Sequence, residues 1–182
     1  MHGGAGFLLK TDLEIALADK YVKFFKPSGC RKAFLAYWNP KAYVVPIEGD
    51  SADVERRVWI KMKINGREVD ALLSPSSPHS YMDSIAAARM GLTGDMPGAV
   101  ELEQIESWRG KKQRVWSVPA RTMQIGDYTM NDVKLRIWNM TLSGEMLVLG
   151  ADFLRNHRVL ISSGQRKVYF TPNGAPDKKL IE

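Results

Sequence analysis

The chain has 182 residues, 45% of them hydrophobic and 25% charged, which is the balance of a globular protein with its own core and not of a disordered one. No apolar run approaches the roughly 18 residues needed to cross a bilayer, and Met1 to Gly6 lacks the basic start and long apolar core of a signal peptide. The net charge of +6 is dispersed, with short clusters only at Arg109 to Arg114 and Arg166-Lys167, so a solvated basic surface is expected and no nucleic-acid partner.

The single Cys30 excludes an internal disulfide and leaves the cell compartment open. His2, His79 and His157 share no metal-ligand spacing with it. Neither a metal nor a cofactor is expected.

In chain order, Asp12 to Phe25 reads as a hairpin: Leu13, Ile15 and Leu17 alternate, Ala18-Asp19-Lys20 turns, and Tyr21 to Phe25 returns. Lys26 to Asp50 is punctuated by Pro27, Gly29, Pro40, Pro46 and Gly49. Its aromatics, Phe34, Tyr37, Trp38 and Tyr43, imply an extended arm packed on the main body. Val58 to Ile64 alternates, Asn65-Gly66 is a strong hairpin turn, and Val69 to Leu73 runs into Ser74-Pro75-Ser76-Ser77. Asp83 to Gly91 reads as a short helix with an acidic first turn and Gly91 as its stop.

Ala99 to Ile105 and Gln113 to Val118 flank Trp108-Arg109-Gly110-Lys111, a projecting hairpin with a basic tip. Arg121 to Ile125 and Val133 to Trp138 pair around Gly126-Asp127. Met146 to Leu149 is wholly apolar, as a strand buried on both faces would be. Gly150 to Arg155 follows as one or two helical turns. Val159 to Ile161 and Lys167 to Phe170 close the chain as a hairpin around Ser163-Gly164, before a polar tail over 173–182. Trp59, Trp116 and Trp138 are expected in core or cross-strand packing, and Met123, Met130, Met140 and Met146 as core filler.

An internal repeat is visible. Gly4-Ala5-Gly6-Phe7-Leu8 parallels Gly150-Ala151-Asp152-Phe153-Leu154 at an offset of 146 residues (153 − 7). Without a gap, Leu13, Ile15, Lys20, Val22 and Phe24 fall on Val159, Ile161, Arg166, Val168 and Phe170. The expected organisation is residues 1–53 as hairpin and arm, the tail of a preceding repeat, then a complete domain over 54–172.

Over about Val54 to Pro172 the sequence resembles the retropepsin-like aspartic peptidases, bacterial and retroviral. The resemblance rests on the Asn65-Gly66 hairpin leading to the loop, the hairpin around Arg109-Gly110 in the place of a substrate-covering flap, and Leu147 to Leu154 as apolar strand, Gly and short helix. The segment with Asp12 to Ile15, Phe24-Phe25, Cys30 and Tyr37-Trp38 is similar to the region between copies in bacterial tandem members. The resemblance implies a mainly β, closed barrel with short helices, preceded by the N-terminal hairpin and arm. It also implies a cleft between two lobes that holds an extended peptide, hence a homodimer or pairing with a second lobe.

The family's catalytic loop reads Asp-Thr/Ser-Gly, and here Ser74, Pro75 and Ser76 stand at those positions, followed by Ser77. Paired carboxylates share a proton because two like charges so close cannot both ionise, which supplies a base for water and an acid for the leaving group. A serine hydroxyl does neither, Pro75 lacks the hydroxyl and the N–H of the residue it replaces, and Ser76 replaces a turn-forming Gly. Asp70 and Asp83 have structural readings, as a strand-end charge and a helix N-terminal charge, and the resemblance implies a structural role for Gly150 and Asp152 at the start of the short helix. A nucleophilic Ser74, Ser76 or Ser77 with His79 as base lacks the strained elbow that usually presents such a serine. The expectation is a catalytically degenerate homologue that binds an extended peptide, with Trp108, Arg109, Gly110 and Lys111 as flap contacts. The alternative is an aspartic endopeptidase whose loop has been replaced in this chain.

Overall fold

The computed structural model describes residues 11–26, 32–49, 57–106, 110, 112–139 and 146–174. Their strands are β1 (Asp12–Ala16), β2 (Tyr21–Phe25), β3 (Tyr43–Pro46), β4 (Val58–Ile64), β5 (Arg67–Leu73), β6 (Tyr81–Asp83), β7 (Val100–Glu106), β8 (Lys112–Ile125), β9 (Tyr128–Trp138), β10 (Met146–Leu149), β11 (His157–Ser162) and β12 (Lys167–Pro172). Two short helices, α1 (Ser84–Arg89) and α2 (Ala151–Asn156), follow β6 and β10.

Alternation along β4 sets the core. Ile60, Met62 and Ile64 point inward at 2% exposure or less, while Lys61 and Lys63 face solvent. Asn65 and Gly66 both take positive φ (50° and 80°), the conformation a two-residue hairpin turn needs, and β5 returns in register with Ile64 opposite Arg67. Asn65 also accepts hydrogen bonds at Oδ1 from the backbone N–H groups of Arg121 (2.8 Å) and Thr122 (3.2 Å). Those bonds tie the turn to β8 beside the β4–β8 pairing of Lys63 with Gln124 and Ile64 with Met123. The strand order β4-β5-β10-β6-β9-β8 thereby closes on itself as a six-stranded barrel. Met123, Ile125, Met130, Leu135, Leu147 and Leu149 fill it, each burial contributing about 1.5–3 kcal/mol.

Among the described residues β7 pairs only with the first half of β8, and the two project as a hairpin. Pro119 does not end β8, which runs unbroken from Lys112 to Ile125. Pro119 falls just past Ser117, the last residue with a β7 partner, where β8 has one ladder neighbour and can spare an N–H. Asp83 is the N-cap of α1 and not part of its first turn: its carboxylate accepts from Ile85 N (2.9 Å) and Ala86 N (3.4 Å).

The remaining strands form a second sheet in the order β2-β1-β11-β12-β3. The arm thus contributes a strand of its own, β3, pairing Val45 with Val168. One face, with Ile15, Val159, Ile161, Val168 and Phe170, packs on the barrel core. The other carries a smaller cluster of Ala36, Leu160 and Tyr169, with Leu35 and Trp38 packed against it. On that face Glu14 is fully buried and paired with Arg158 (2.6 Å), and it accepts hydrogen bonds from the hydroxyls of Tyr21 and Tyr37 (2.8 Å each). Burial pushes the Glu14 carboxyl up, but the bonds from Tyr21, Tyr37 and Arg158 outweigh it and hold the group below its ordinary value. The Arg158 guanidinium lies 4.4 Å from the Trp38 ring centre.

The two hairpins share one register: Leu13 pairs with Phe24 and Ile15 with Val22, as Val159 pairs with Phe170 and Ile161 with Val168. The repeated Gly4 to Leu8 lies outside the described residues, as do Cys30, Met140 and residues 175–182 of the polar tail.

Candidate functional site

β5 and β10 run parallel with Leu73 opposite Leu149, so the chain leaves both strands at the same level. The loop after β5 and the turn at Gly150 therefore meet. Ser74 N–H donates to Leu149 O (2.9 Å), and Ser77 N–H donates to Ser74 O (3.1 Å), closing a turn over Pro75 and Ser76. Pro75 and Ser76 are exposed, and the Ser74 and Ser76 hydroxyls lie 3.1 Å apart in one hydrogen bond.

Beneath this turn lies a denser frame. Ala151 N–H donates to Ser77 O (2.7 Å), and the Ser77 hydroxyl donates to the backbone carbonyl of His79 (2.7 Å), not to its ring. Ser80 donates from its N–H to Asp152 Oδ2 (2.7 Å) and from its hydroxyl to Asp152 Oδ1 (2.6 Å), and its oxygen accepts from Gly150 N–H (2.9 Å). Phe153 N–H donates to Asp152 Oδ1 (2.7 Å). Ser80 and Asp152 are buried, at 0% and 4% exposure. Gly150 is required by closeness: a Cβ there would lie 2.5 Å from the backbone of His79 and 2.8 Å from Ser77 O. Sequence reasoning missed Ser80, whose role depends on a residue 72 positions away.

The carboxylates of Asp70, Asp83 and Asp152 are each engaged. Asp70 pairs with Lys61 at 2.7 Å on the barrel exterior, Asp83 caps α1, and Asp152 holds Ser80. His79 is half-buried, and its Nδ1 has no hydrogen-bond partner. Among the described residues no group of His, Cys, Asp and Glu has the arrangement of a metal site.

Gly110, with φ of 71°, lies between β7 and β8 and makes none of the contacts that hold the loop. Trp108, Arg109 and Lys111, expected as flap contacts, lie outside the described residues. Among the described residues β7 is the last strand of its sheet, with Val100 and Leu102 exposed at 56% and 43%. At the hairpin base an open recess of about 250 Å³ is lined by Leu92, Gly94, Arg114, Trp116, Ile137 and Trp138. Trp116 opposes Ile137 across β8 and β9, and the Trp138 ring meets Tyr81 edge-on at 5.7 Å. Both tryptophans are half-buried, so they pack across strands while presenting ring surface to the recess. No helix among the described residues is long and apolar enough to cross a membrane.

A family model described as gag-polyprotein putative aspartyl protease matches residues 60–156. Among solved structures, the chain is similar to a retropepsin-like aspartic protease from Rickettsia conorii at 10% identity and a TM-score of 0.52, over 73% of this chain and 100% of that one. It is also similar, at TM-scores of 0.43, to the EIAV protease in complex with the inhibitor HBY-793 (17% identity, 58% of this chain and 92% of that one) and to the retroviral protease-like domain of Ddi1 from Leishmania major (16%, 65% and 97%). No curated protein sequence matches. The fold is the retropepsin-like closed barrel that the sequence resemblance implied.

Proposed function

Since the chain belongs to the gag-polyprotein putative aspartyl protease family, and Ser74 stands where the sequence resemblance expects the catalytic Asp, we propose that it is a non-catalytic lobe that binds an extended peptide segment. The observation that carries this reading is the fate of the carboxylates. Asp70, Asp83 and Asp152 are committed to Lys61, to the α1 N-terminus and to Ser80. The turn above them offers only the mutually bonded hydroxyls of Ser74 and Ser76. Near pH 7 neither hydroxyl can take a proton from water or give one to a leaving group as a tuned carboxyl does.

Peptide binding draws support from the β7 edge. A strand with one neighbour presents backbone N–H and C=O groups to an incoming extended chain, and the exposed Val100 and Leu102 add apolar contact. The recess beside Trp116 and Trp138 suits a side chain of such a peptide. Screening the full chain against an extended-peptide library, with tryptophan fluorescence for binding and mass spectrometry for cleavage, tests both halves. Saturable binding without cleavage is expected. Cleavage blocked by a transition-state analogue of peptide hydrolysis would overturn the non-catalytic half, and absence of any saturable binding the other.

The family match favours a second reading, an aspartic endopeptidase whose loop has been replaced. Under it, the triple variant Ser74→Asp, Pro75→Thr, Ser76→Gly becomes a peptidase with an acidic optimum. A folded triple variant that cleaves nothing removes that reading.

A further inference from the structure

Judged by short clusters the net charge is dispersed, but by segment it is concentrated. Residues 20–47 hold six of the 26 Lys and Arg and no Asp or Glu, so the other 20 Lys and Arg are balanced by the 20 Asp and Glu elsewhere. The whole charge of +6 therefore belongs to β2, the arm and β3. Seven aromatic residues are interleaved with the cations along the same stretch.

The fold gathers cations and rings on one face. Lys23 pairs with Glu14, and Tyr169 with Leu160, so Lys23 and Lys167, two residues before Tyr169, lie on the face of the second sheet that turns away from the barrel. The arm is fastened across that face. Ala36 and Trp38 pack with Leu160 and Tyr169, Trp38 Nε1 donates to Thr171 Oγ1 (3.0 Å), and Gln165 Nε2 donates to Ala33 O (2.8 Å). Lys32 and Lys41 are exposed on the arm, as Lys23 and Lys167 are on their strands. Among the described residues the strand positions of this face include two carboxylates, Asp12 and Glu14, and both are buried, Glu14 against Arg158. The exposed charge of the face is thus of one sign.

Two rings stand out from it: Tyr37 is 59% exposed and Phe34 48%. Each is held edge-on, Tyr37 by Phe25 (6.3 Å) and Trp38 (5.5 Å), Phe34 by Tyr169 (5.3 Å), so their exposed surface is set before a ligand arrives. Fixed rings among cations match a single strand of nucleic acid, whose phosphates meet the cations while its unpaired bases stack on the rings. A duplex keeps its bases stacked on one another and has no use for the rings. An anionic bilayer draws on apolar groups that sink into it, whereas the Tyr37 hydroxyl is tied down to Glu14 (2.8 Å) and Arg158 (3.1 Å).

We propose that this outer face binds single-stranded nucleic acid, with Phe34 and Tyr37 as stacking rings and Lys23, Lys32, Lys41 and Lys167 as phosphate contacts. The site is separate from the peptide edge at β7, which lies in the other sheet. It reverses the expectation, drawn from the sequence, of no nucleic-acid partner.

The test is fluorescence anisotropy of the full chain with labelled strands of about 20 thymidines or uridines, which lack structure of their own and tell DNA from RNA. Saturable binding of at least one is expected, weakening about tenfold between about 50 and 150 mM salt, as for about three neutralised phosphates. Lys23→Glu with Lys41→Glu is expected to weaken it about tenfold or more. Lys63→Glu with Lys134→Glu, the same charge change on the barrel exterior, leaves it within about twofold. Phe34→Leu keeps an apolar contact for Tyr169 and removes the ring, and binding about tenfold weaker is expected. Absence of binding at about 50 mM salt would overturn the proposal. So would equal losses in the two lysine pairs, an unchanged affinity in Phe34→Leu, or tighter binding of a duplex of the same length or of vesicles with about 30% phosphatidylserine. If Phe34→Leu does not fold, ultraviolet cross-linking of the unmodified chain to the bound strand decides: adducts within residues 32–43 support the face, and adducts confined to other segments overturn it.

Discussion

The turn over Ser74 to Ser77 and the frame beneath it are neighbours with opposite characters. The turn is exposed at Pro75 and Ser76, and the Ser74 and Ser76 hydroxyls bond to each other. The frame is buried: Asp152 accepts three hydrogen bonds of 2.6–2.7 Å, and Gly150 passes the backbone of His79 with no room for a methyl group. The lesson is that the support of this loop is part of the barrel's own packing. It joins the ends of two parallel strands and cannot be altered without opening the core. The residues displayed above it are held by little and can be replaced without disturbing the barrel.

The frame is the place for the largest effects. Asp152→Ala leaves the N–H and hydroxyl of Ser80 and the N–H of Phe153 unpaired in a buried site, and an unfolding free energy lower by about 4 kcal/mol is expected in denaturant titration. A cost below about 1 kcal/mol would mean that water replaces the carboxylate, and the contrast with the turn would fail. Gly150→Ala sets a methyl group against main chain that has no alternative path, and about 3 kcal/mol is expected by the same measurement.

Acid should act on the same region. His157 follows α2, is fully buried, stacks on Phe153 at 4.0 Å, and bonds through Nδ1 to Phe153 O, with no partner for Nε2. Burial outweighs the bond to Phe153 O and pushes the imidazole from 6.5 down to about 4. A group kept neutral by the fold stabilises it above its unfolded pKa, and that contribution is lost as pH falls from about 6.5 to about 4. Over that window the loss is about 3 kcal/mol. Melting temperature measured from pH 7 to pH 4 should fall, and His157→Phe should flatten the decline. An equal decline in that variant would assign it to carboxylates, among which Glu14 acts below its ordinary value near 4.5.

What the sequence showed and what it hid divide along physical lines. Alternation and the Asn65-Gly66 turn are local, and they mark β4, β5 and both repeated hairpins in the sequence itself. β3 was hidden because Tyr43 to Pro46 is short and bounded by Pro46 itself, and only the β12 edge makes it a strand. Gln113 to Val118 and Arg121 to Ile125, separate segments in the sequence, are one strand, since the N–H that Pro119 lacks matters only where a neighbouring strand would receive it. Arg158 and Glu14 are 144 residues apart, and Ser80 and Asp152 are 72 apart. Such pairs leave no periodic trace, so the buried polar contacts that hold the site together could not be read in advance.

The smallest expected effect decides whether the turn is as passive as the contrast implies. Ser74→Ala removes one hydroxyl–hydroxyl bond at a half-buried position and keeps the backbone bond from Ser74 N–H to Leu149 O. A change below about 0.5 kcal/mol is expected, because the freed Ser76 hydroxyl is exposed and can turn to water. Affinity for any peptide bound along β7 should also be unchanged. If Ser74→Ala abolished peptide binding while the melting temperature stayed constant, the Ser74 hydroxyl would itself be a contact for the ligand. The turn would then be a specific polar subsite in the place of a catalytic pair.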